Sequence, residues 1–229
     1  MRFLFFTLFI VILASFAWAE KPQVIFKETF DYPDGPLPEK WWAEGNAASI
    51  RNNHLYVDAD ESGYRRATVW LNRVFQGDIQ VEFQVHFIAS SDKANNNNFF
   101  FLFSNPAEKT LFQTREQRTD GNYPKYHKLN GYIFTHVLND DNKARFRFRD
   151  CPGFHLLKET FAKKSAIGKT YRIKITKRKN RMQYQLDNKT IFDVVDERQT
   201  PAHPKGLLGF RTWHTELWWD DLVVKKITK

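Results

Sequence analysis

The chain has 229 residues, a formal net charge of +9 at pH 7, a pI of about 9.5 and 16% aromatic residues. Its single cysteine, Cys151, excludes an intramolecular disulfide, so the fold must be stabilised by its core. The positive charge and the many rings suit nucleic acid, anionic lipid or acidic polysaccharide, because Lys and Arg bind anionic groups and aromatic rings pack on sugar C–H faces.

The N-terminus has the three parts of an export signal. Met1-Arg2 is a short basic start, an apolar run follows it (FLFFTLFIVILASF), and the small-x-small sequence AWA ends at Ala19. The apolar run is short for a membrane-spanning helix. We predict a signal peptide over residues 1–19, no membrane span, and one periplasmic or secreted domain over residues 20–229. Export argues against nucleic acid as the partner.

The rest of the chain is predicted to be a series of β-strands. Residues 79–87 (IQVEFQVHF) alternate strictly between apolar and polar side chains, and Phe146 and Phe148 alternate with three arginines in KARFRFRD. Residues 171–194 predict three strands separated by KRKN and DN, and residues 207–227 predict two closing strands. Only residues 38–45 and 158–166 have sequences suited to a helical turn. This pattern predicts an all-β domain built from two stacked antiparallel sheets.

A long connection between two strands runs from about Ser104 to Asn130 and ends in GNYPKYHKLNGY (121–132). Loops longer than about 15 residues inside a compact domain are usually functional or disordered. The aromatic content of this one argues against disorder. We therefore expect it to fold back onto a polar sheet face.

The tyrosines and the histidine of this connection are candidates for acid–base chemistry. Tyr123, Tyr126 and His127 lie close together in sequence, and Arg118 precedes them. Tyr and His beside Arg suit β-elimination next to a carboxylate: Arg neutralises the acid group, and Tyr or His removes the proton. The same or another side chain then protonates the leaving oxygen. The set suits plain binding of a sulfated or uronic sugar equally well.

Further side chains are predicted to contact the substrate. Trp213 is interpreted either as a sugar platform or as a core ring, and His155 either reaches the site or caps a turn. The full set of predicted substrate-binding residues is Arg118, Arg149, His155, Tyr132, Trp213, His86 and Arg211.

Metal and hydrolase motifs are sparse. No His-x-x-x-His, paired-cysteine or EF-hand spacing occurs, so we predict no catalytic metal and no cofactor. A structural Ca²⁺ between Asp220-Asp221 and residues 28–35 stays open as a hypothesis. Glu82 lies on a polar strand face and is the candidate carboxylate for a glycoside hydrolase.

Four stretches carry a resemblance to known proteins: residues 41–57 (WWAEGNAASIRNNHLYV), 117–127 (QRTDGNYPKYH), 147–159 (RFRDCPGFHLLKE) and 206–224 (GLLGFRTWHTELWWDDLVV). On these the chain resembles the concanavalin A-like lectin/glucanase superfamily and, within it, the YesU-like family (DUF1961). The resemblance implies a jelly-roll β-sandwich whose concave sheet holds the ligand. It also implies a place in the breakdown of acidic plant or algal polysaccharides, where similar exported proteins act as lyases or dehydratases on ulvan-type oligosaccharides.

The resemblance supports a particular set of site residues: Arg118, Tyr123, Tyr126, His127 and His155. Lys125 stands where an acidic residue is expected in the PKYH segment, which favours an anionic ligand. Two shorter segments are similar to motifs of jelly-roll alginate lyases. These are QVH, which contains Gln84 and His86, and YHKLNGY (126–132).

The sequence thus predicts an exported, monomeric carbon–oxygen lyase or dehydratase that acts by β-elimination on acidic oligosaccharides or polysaccharides. The predicted catalytic residues are His127, Tyr126 and Tyr123. A non-catalytic carbohydrate-binding protein and a glycoside hydrolase using Glu82 are the alternatives.

Overall fold

The computed structural model describes residues 22–92, 94–138, 143–198 and 201–228, so the predicted signal peptide lies outside the described residues. No helix within these ranges is long and apolar enough to cross a membrane. The strands are β1 (Gln23–Glu28), β2 (Gly35–Pro36), β3 (Trp41–Gly45), β4 (Ala48–Arg51), β5 (His54–Asp58), β6 (Arg66–Gln76), β7 (Ile79–Ser90), β8 (Asn97–Ser104), β9 (Asn130–Val137), β10 (Lys143–Cys151), β11 (His155–Lys163), β12 (Thr170–Arg178), β13 (Arg181–Leu186), β14 (Lys189–Val195), β15 (Lys205–Trp213) and β16 (Thr215–Lys226).

The strands form two antiparallel sheets, which confirms the predicted all-β sandwich. The nine-stranded sheet has the order β14-β13-β12-β7-β16-β5-β4-β2, and β1 pairs with the C-terminal part of β16. The seven-stranded sheet has the order β11-β10-β9-β8-β15-β6-β3. The main core lies between the sheets, where alternate side chains of each strand are buried. In β7, for example, every second residue from Ile79 to Phe87 is buried, as its alternation predicts.

The two stretches suited to a helical turn consist largely of strand, although residues 39–40 form a turn in which Trp41 N donates to the Pro38 carbonyl. Residues 41–45 form β3, and residues 155–163 form β11. Trp41 packs into the main core, and Trp42 packs on the opposite face. This two-sided burial explains why no helical or simple alternating pattern is visible in the sequence of β3.

The two helical segments lie instead in the long connection between β8 and β9. They are a 3-10 helix at Arg115–Arg118 and helix α1 at Tyr123–Tyr126. The connection folds back onto the outer face of the seven-stranded sheet, as predicted. The part of the face that it covers is apolar, however, because a second buried cluster forms there between the sheet and the connection. This cluster consists of Trp42, Trp70, Phe100, Phe103, Leu111, Tyr126, Leu129, Ile133, Cys151 and Leu207.

Candidate functional site

Polar side chains form a row across the outer face of the seven-stranded sheet. Cross-strand pairing aligns one residue from each of six consecutive strands, because directly opposite residues in antiparallel strands share a face. From β10 to β3 the row is Arg147, Thr135, Asn98, Arg211, Thr68 and Glu44.

The neighbouring row on the same face is mostly apolar. From β10 to β3 it is Arg149, Ile133, Phe100, Gly209, Trp70 and Trp42. A Cβ atom at Gly209 would lie 2.5 Å from the Trp70 ring, so the absence of a side chain lets the indole lie across the strand. The connection covers this apolar row and ends at the border with the polar row, where α1 presents its side chains.

Glu44 is the buried centre of a hydrogen-bond network beneath the connection. Its carboxylate accepts hydrogen bonds from Trp42 Nε1 (3.3 Å), Trp70 Nε1 (3.0 Å) and the Tyr126 hydroxyl (2.7 Å). Arg118 pairs with the same carboxylate at 3.0 Å, and both side chains are almost fully buried. A buried carboxylate must be paired and hydrogen-bonded to be tolerated. The network therefore fixes the connection to the sheet.

This network places Arg118 and Tyr126 differently from the prediction. Arg118 is committed to Glu44 and to the Leu111 carbonyl, to which its Nη2 donates at 2.7 Å. Tyr126 is fully buried, and burial raises the pKa of its hydroxyl well above the usual range. Neither side chain is open to a ligand. Both support the site from below.

Tyr123 and His127 lie at the open border of the connection. Their ring centroids are 4.6 Å apart, and both side chains are half-buried. The Tyr123 hydroxyl donates to Asn98 Oδ1 at 3.3 Å, and Thr135 Oγ1 donates to the same oxygen at 2.7 Å. His127 stacks on Phe154, from the turn between β10 and β11, at 3.7 Å. The structure thus brings together two of the three predicted catalytic residues.

Two arginines flank this pair. The guanidinium carbon of Arg211 lies 4.5 Å from the centre of the Tyr123 ring, and that of Arg149 lies 4.4 Å from the centre of the Phe154 ring. One Arg211 nitrogen donates to Thr68 and to the Gly121 carbonyl, each at 2.8 Å. These are neutral partners, and cation–π contact with a ring adds only modest stabilisation.

Several nitrogen atoms of this cluster are buried without a partner. Arg211 Nε and Nη2, Arg149 Nη1, Arg147 Nε and His127 Nε2 have no hydrogen-bond partner among the described residues. Leaving a buried donor unsatisfied costs about 1–3 kcal/mol, and more for a charged group. Arg147 and Arg149 are half-buried, whereas Arg211 is fully buried. The cluster therefore concentrates positive charge, which favours an anionic group at its half-buried surface.

The pKa values of the pair follow from burial and from the surrounding arginines. Burial, together with the positive charges of Arg211 and Arg149, lowers the pKa of His127 to about 4. Burial raises the pKa of Tyr123 to about 12, although Arg211, Arg149 and Arg147 oppose this shift. At neutral pH His127 is therefore a neutral base, and Tyr123 keeps its proton.

Trp213 and His155 border the site at opposite ends. Trp213 follows Arg211 on the same face of β15, is half-buried, and donates from Nε1 to Asp92 at 3.2 Å. The exposed His155 packs against Gly153, where a Cβ atom would lie 2.4 Å from its Nε2.

Two predicted substrate-binding residues lie away from the cluster. Tyr132 points into the core between the sheets, where its hydroxyl donates to Asp196 at 2.5 Å. His86 lies on the outer face of the nine-stranded sheet, where its ring stacks on Trp218 at 5.0 Å. Alternation correctly predicts which residues of a strand share a face. It does not predict which face is exposed or which sheet holds the site.

The prediction did not include Arg147, Asn98, Thr135 and Phe154 among the site residues. Arg147 shows a signal in the sequence, because it alternates with the buried Phe146 and Phe148 in the same way as the predicted Arg149. Asn98, Thr135 and Phe154 enter the site only through strand pairing and a turn. These are long-range relationships that no local pattern encodes.

The calcium and hydrolase hypotheses receive no support from side-chain positions. Within the described ranges, no group of three or more His, Cys, Asp or Glu side chains is placed to hold a metal ion. Asp221 accepts a hydrogen bond from Gln84 at 2.6 Å. Glu82 lies on the nine-stranded sheet and pairs with Lys225 at 2.7 Å, so it is not part of the cluster around Tyr123.

Comparison with solved structures supports the jelly-roll assignment. A Bacillus subtilis protein of unknown function with a galectin-like fold is similar over 90% of this chain and 97% of its own, with a TM-score of 0.71 and 22% identity. The carbohydrate-binding module CBM66 from Bacillus subtilis is similar over 85% of this chain and 100% of its own (TM-score 0.58, 12% identity). SCLam, a non-specific endo-β-1,3(4)-glucanase from family GH16, is similar over 90% of this chain and 91% of its own (TM-score 0.58, 10% identity).

At these identities the structural matches establish the fold alone. No curated protein sequence matches the chain. The model of one sequence family matches residues 62–222, which include the long connection, β10 and Arg211. This match does not reproduce the resemblance to the YesU-like family, whereas the solved structures reproduce the jelly-roll fold. The chain belongs to the family described as a domain of unknown function, DUF6250.

Proposed function

We propose that the chain is an exported carbohydrate-active lyase or dehydratase that cleaves a C–O bond of an acidic oligosaccharide by β-elimination. The observation that carries this proposal is the contact between the Tyr123 and His127 rings, with Arg211 against the Tyr123 ring and Arg149 against the Phe154 ring on which His127 stacks. The jelly-roll fold is compatible, since similar structures include a carbohydrate-binding module and an endo-glucanase.

In this proposal the half-buried Arg149 binds the carboxylate of a uronic acid residue and donates hydrogen bonds to its oxygens. The fully buried Arg211, packed against the Tyr123 ring, adds positive charge that helps to neutralise the carboxylate. The proton on the carbon next to the carboxylate then becomes easier to remove, because the negative charge that develops in the transition state is stabilised. A fixed guanidinium loses little orientation freedom on binding, which makes it well suited to this role.

The protonation states assign the roles of the pair. Neutral His127 removes the proton, and the C–H electron pair forms the new C=C bond while the C–O bond at the next carbon breaks. Tyr123 donates its proton to the departing oxygen, which leaves as a sugar hydroxyl in a lyase or as water in a dehydratase. A proton transfer from His127 back to Tyr123 completes the cycle. A bound carboxylate also offsets the arginine charges, so it raises the pKa of His127 towards a value that suits a general base.

A non-catalytic carbohydrate-binding protein is the second candidate. It is favoured by the half-buried Trp213 ring, which follows Arg211 on β15, and by the structural similarity to CBM66. Aromatic rings and arginines suffice to bind an acidic sugar without transforming it.

The test is a screen of wild-type protein against digests of ulvan, rhamnogalacturonan and alginate, followed by mass spectrometry and ultraviolet absorbance. A lyase generates a conjugated uronate that absorbs in the ultraviolet, and a dehydratase releases one water from its substrate. Once a substrate is found, Tyr123→Phe and His127→Ala are compared with His86→Ala, which removes an imidazole from the other sheet. We expect the first two to lower turnover by ~10²–10⁴-fold and the control to leave it unchanged.

Two results would contradict the proposal. Saccharide binding without any change in product mass would identify a binding protein. New reducing ends without an unsaturated product would identify a hydrolase.

A further inference from the structure

We propose that β10 carries a second anion-binding subsite, so that the preferred ligand has at least two anionic groups, sulfate or carboxylate, spaced along this strand. The subsite is formed by Arg145 and Arg147, which continue the line that begins at Arg149. This inference rests on the acidic oligosaccharide proposed above and extends it beyond the reacting sugar residue.

The spacing of the arginines requires more than one anionic group. The three side chains alternate with the buried Phe146 and Phe148, so they project from the same face of β10. Neighbours in such a row are about 6.6 Å apart along the strand, so Arg145 and Arg149 are separated by roughly 13 Å at their backbones. One carboxylate held between Arg149 and Arg211 is too small to occupy the whole row.

The side chains of this row are partly fixed in place. Arg147 Nη2 donates to the side-chain oxygen of Asn95, and Arg149 lies over the Phe154 ring. The Nε atoms of both Arg145 and Arg147 are buried, yet neither has a hydrogen-bond partner in the part of the chain that the structure describes. An arginine that is held by one nitrogen and unsatisfied at another is prepared to bind an anion.

The electrostatic surroundings favour an additional anion. Burial and the positive charges of Arg149 and Arg145 lower the pKa of Arg147 to about 10. Glu159, opposite Arg147 on β11, is an exposed counter-charge and offsets this repulsion only in part. A second anion on the ligand would relieve the repulsion by pairing with these half-buried guanidinium groups.

Isothermal titration calorimetry on the wild-type protein tests the subsite with three probes. Galacturonate carries one carboxylate, digalacturonate carries two, and a uronate disaccharide with one sulfate carries two anions of different kinds. The variants are Arg145→Gln and Arg147→Gln, and Arg172→Gln is the matched control, because it removes an exposed arginine from the other sheet. Thermal melting of each variant checks that it is folded.

We expect Arg145→Gln and Arg147→Gln to lower the affinity for the two-anion probes by about tenfold, which corresponds to ~1.4 kcal/mol of binding free energy. Galacturonate affinity should change by less than about twofold in Arg145→Gln, the variant farther from Arg149. All affinities of Arg172→Gln should change by less than about twofold, because an exposed charge contributes little. If only the affinity for the sulfated probe falls, the subsite binds sulfate. If the affinities for both two-anion probes fall equally, the subsite binds either sulfate or carboxylate.

The inference is overturned if the folded variants bind the two-anion probes as the wild type does, or if the wild type binds none of the three. Its failure is distinguishable from failure of the proposed chemistry. If Arg145→Gln and Arg147→Gln have unchanged KM values and still catalyse elimination, the subsite hypothesis is wrong and the proposed reaction stands. If the two-anion probes bind in a way that depends on Arg145 and Arg147 but no substrate is transformed, the proposed reaction is wrong and the subsite hypothesis stands.

Discussion

The guanidinium carbon of Arg211 lies 4.5 Å from the centre of the Tyr123 ring, while Arg211 Nε and Nη2 are buried without a partner among the described residues. The ring contact and two neutral oxygen acceptors hold the guanidinium, but no carboxylate hydrogen-bonds to it within the described ranges. The nearby Glu44 carboxylate is engaged by Arg118. Arg118 therefore has a buried counter-charge, whereas the equally buried Arg211 has only neutral hydrogen-bond partners among the described residues.

This difference predicts that two arginine substitutions destabilise the fold by different amounts. Arg118→Met should destabilise the fold by ~3–5 kcal/mol, because it leaves the buried Glu44 without its counter-charge. Arg211→Met should destabilise it less, since only the Thr68 hydroxyl and the Gly121 carbonyl lose a donor. Urea unfolding measures both.

For saccharide affinity we expect the reverse order, with the larger loss in Arg211→Met. Arg211→Met should weaken binding of acidic saccharide while the protein stays folded, because it removes a buried positive charge next to Tyr123. Arg118→Met should bind normally at temperatures where it is folded. If Arg118→Met is as stable as the wild type, or if Arg211→Met binds acidic saccharide with wild-type affinity, the division of roles between the two arginines is wrong.

The pH dependence of catalysis reports the state of His127. Its pKa of about 4 in the ligand-free protein means that the neutral base persists well below the ordinary value of 6.5. The acidic limb of kcat/KM reports the free enzyme, so we expect it near pH 4 for a substrate whose own carboxylate stays ionised. An acidic limb near 6.5 would show that His127 is not the base or that its surroundings are more solvated than the structure indicates.

The pH dependence of stability reports on a different histidine. His136 is buried against Phe87 and Phe146 and hydrogen-bonds to Ser165 at 2.6 Å, and burial lowers its pKa to about 3. The unfolded chain binds a proton near pH 6.5, so the stabilisation is complete above that pH and is lost as the pH falls towards 3. The contribution of His136 should fall by about 2 kcal/mol between pH 7 and pH 5.

Urea unfolding of wild type and His136→Gln at the two pH values measures this contribution. Glutamine keeps a polar group near Ser165 but does not titrate. The variant should therefore lose less stability than the wild type between pH 7 and pH 5. Equal losses in the two proteins would mean that His136 does not control acid unfolding.

Cys151 should be inert towards thiol reagents in the folded protein. Its side chain is fully buried, and burial raises the pKa of the thiol to about 12, so the reactive thiolate is rare at neutral pH. We expect labelling by a maleimide to occur only when the chain unfolds. Fast stoichiometric labelling under native conditions, with an unchanged melting temperature, would contradict the buried position of this residue.

The strands were predictable because their alternation is local. The burial of alternate residues in β7 and the strand assignments from 143 to 151 and from 170 to 195 follow directly from side-chain pattern. The connection from Ser104 to Asn130 was also recognisable, because β8 ends and β9 begins at these residues. The strand at residues 41–45 was not predicted, because β3 is buried on both faces and has no alternating pattern.

The site was only partly predictable because its members meet through strand pairing. Tyr123 and His127 are one helical turn apart, so their proximity could be inferred from sequence. The roles of Tyr126 and Arg118 depend on Glu44, which is distant in sequence and lies in a strand that the pattern did not reveal. The neighbourhood of Arg211 and Tyr123 likewise depends on how the connection lies across β15.

The roles of Tyr123 and His127 as acid and base are tested by measuring turnover of an acidic oligosaccharide by four proteins. These are the wild type, Tyr123→Phe, His127→Ala and the His86→Ala control. Mass spectrometry of the products should show an unsaturated or dehydrated sugar with the wild type and the control. The Tyr123 and His127 variants should be slower by ~10²–10⁴-fold with melting temperatures near that of the wild type. If these two variants turn over the same substrate within about threefold of the wild-type rate, the Tyr123–His127 pair is not the acid–base machinery of this protein.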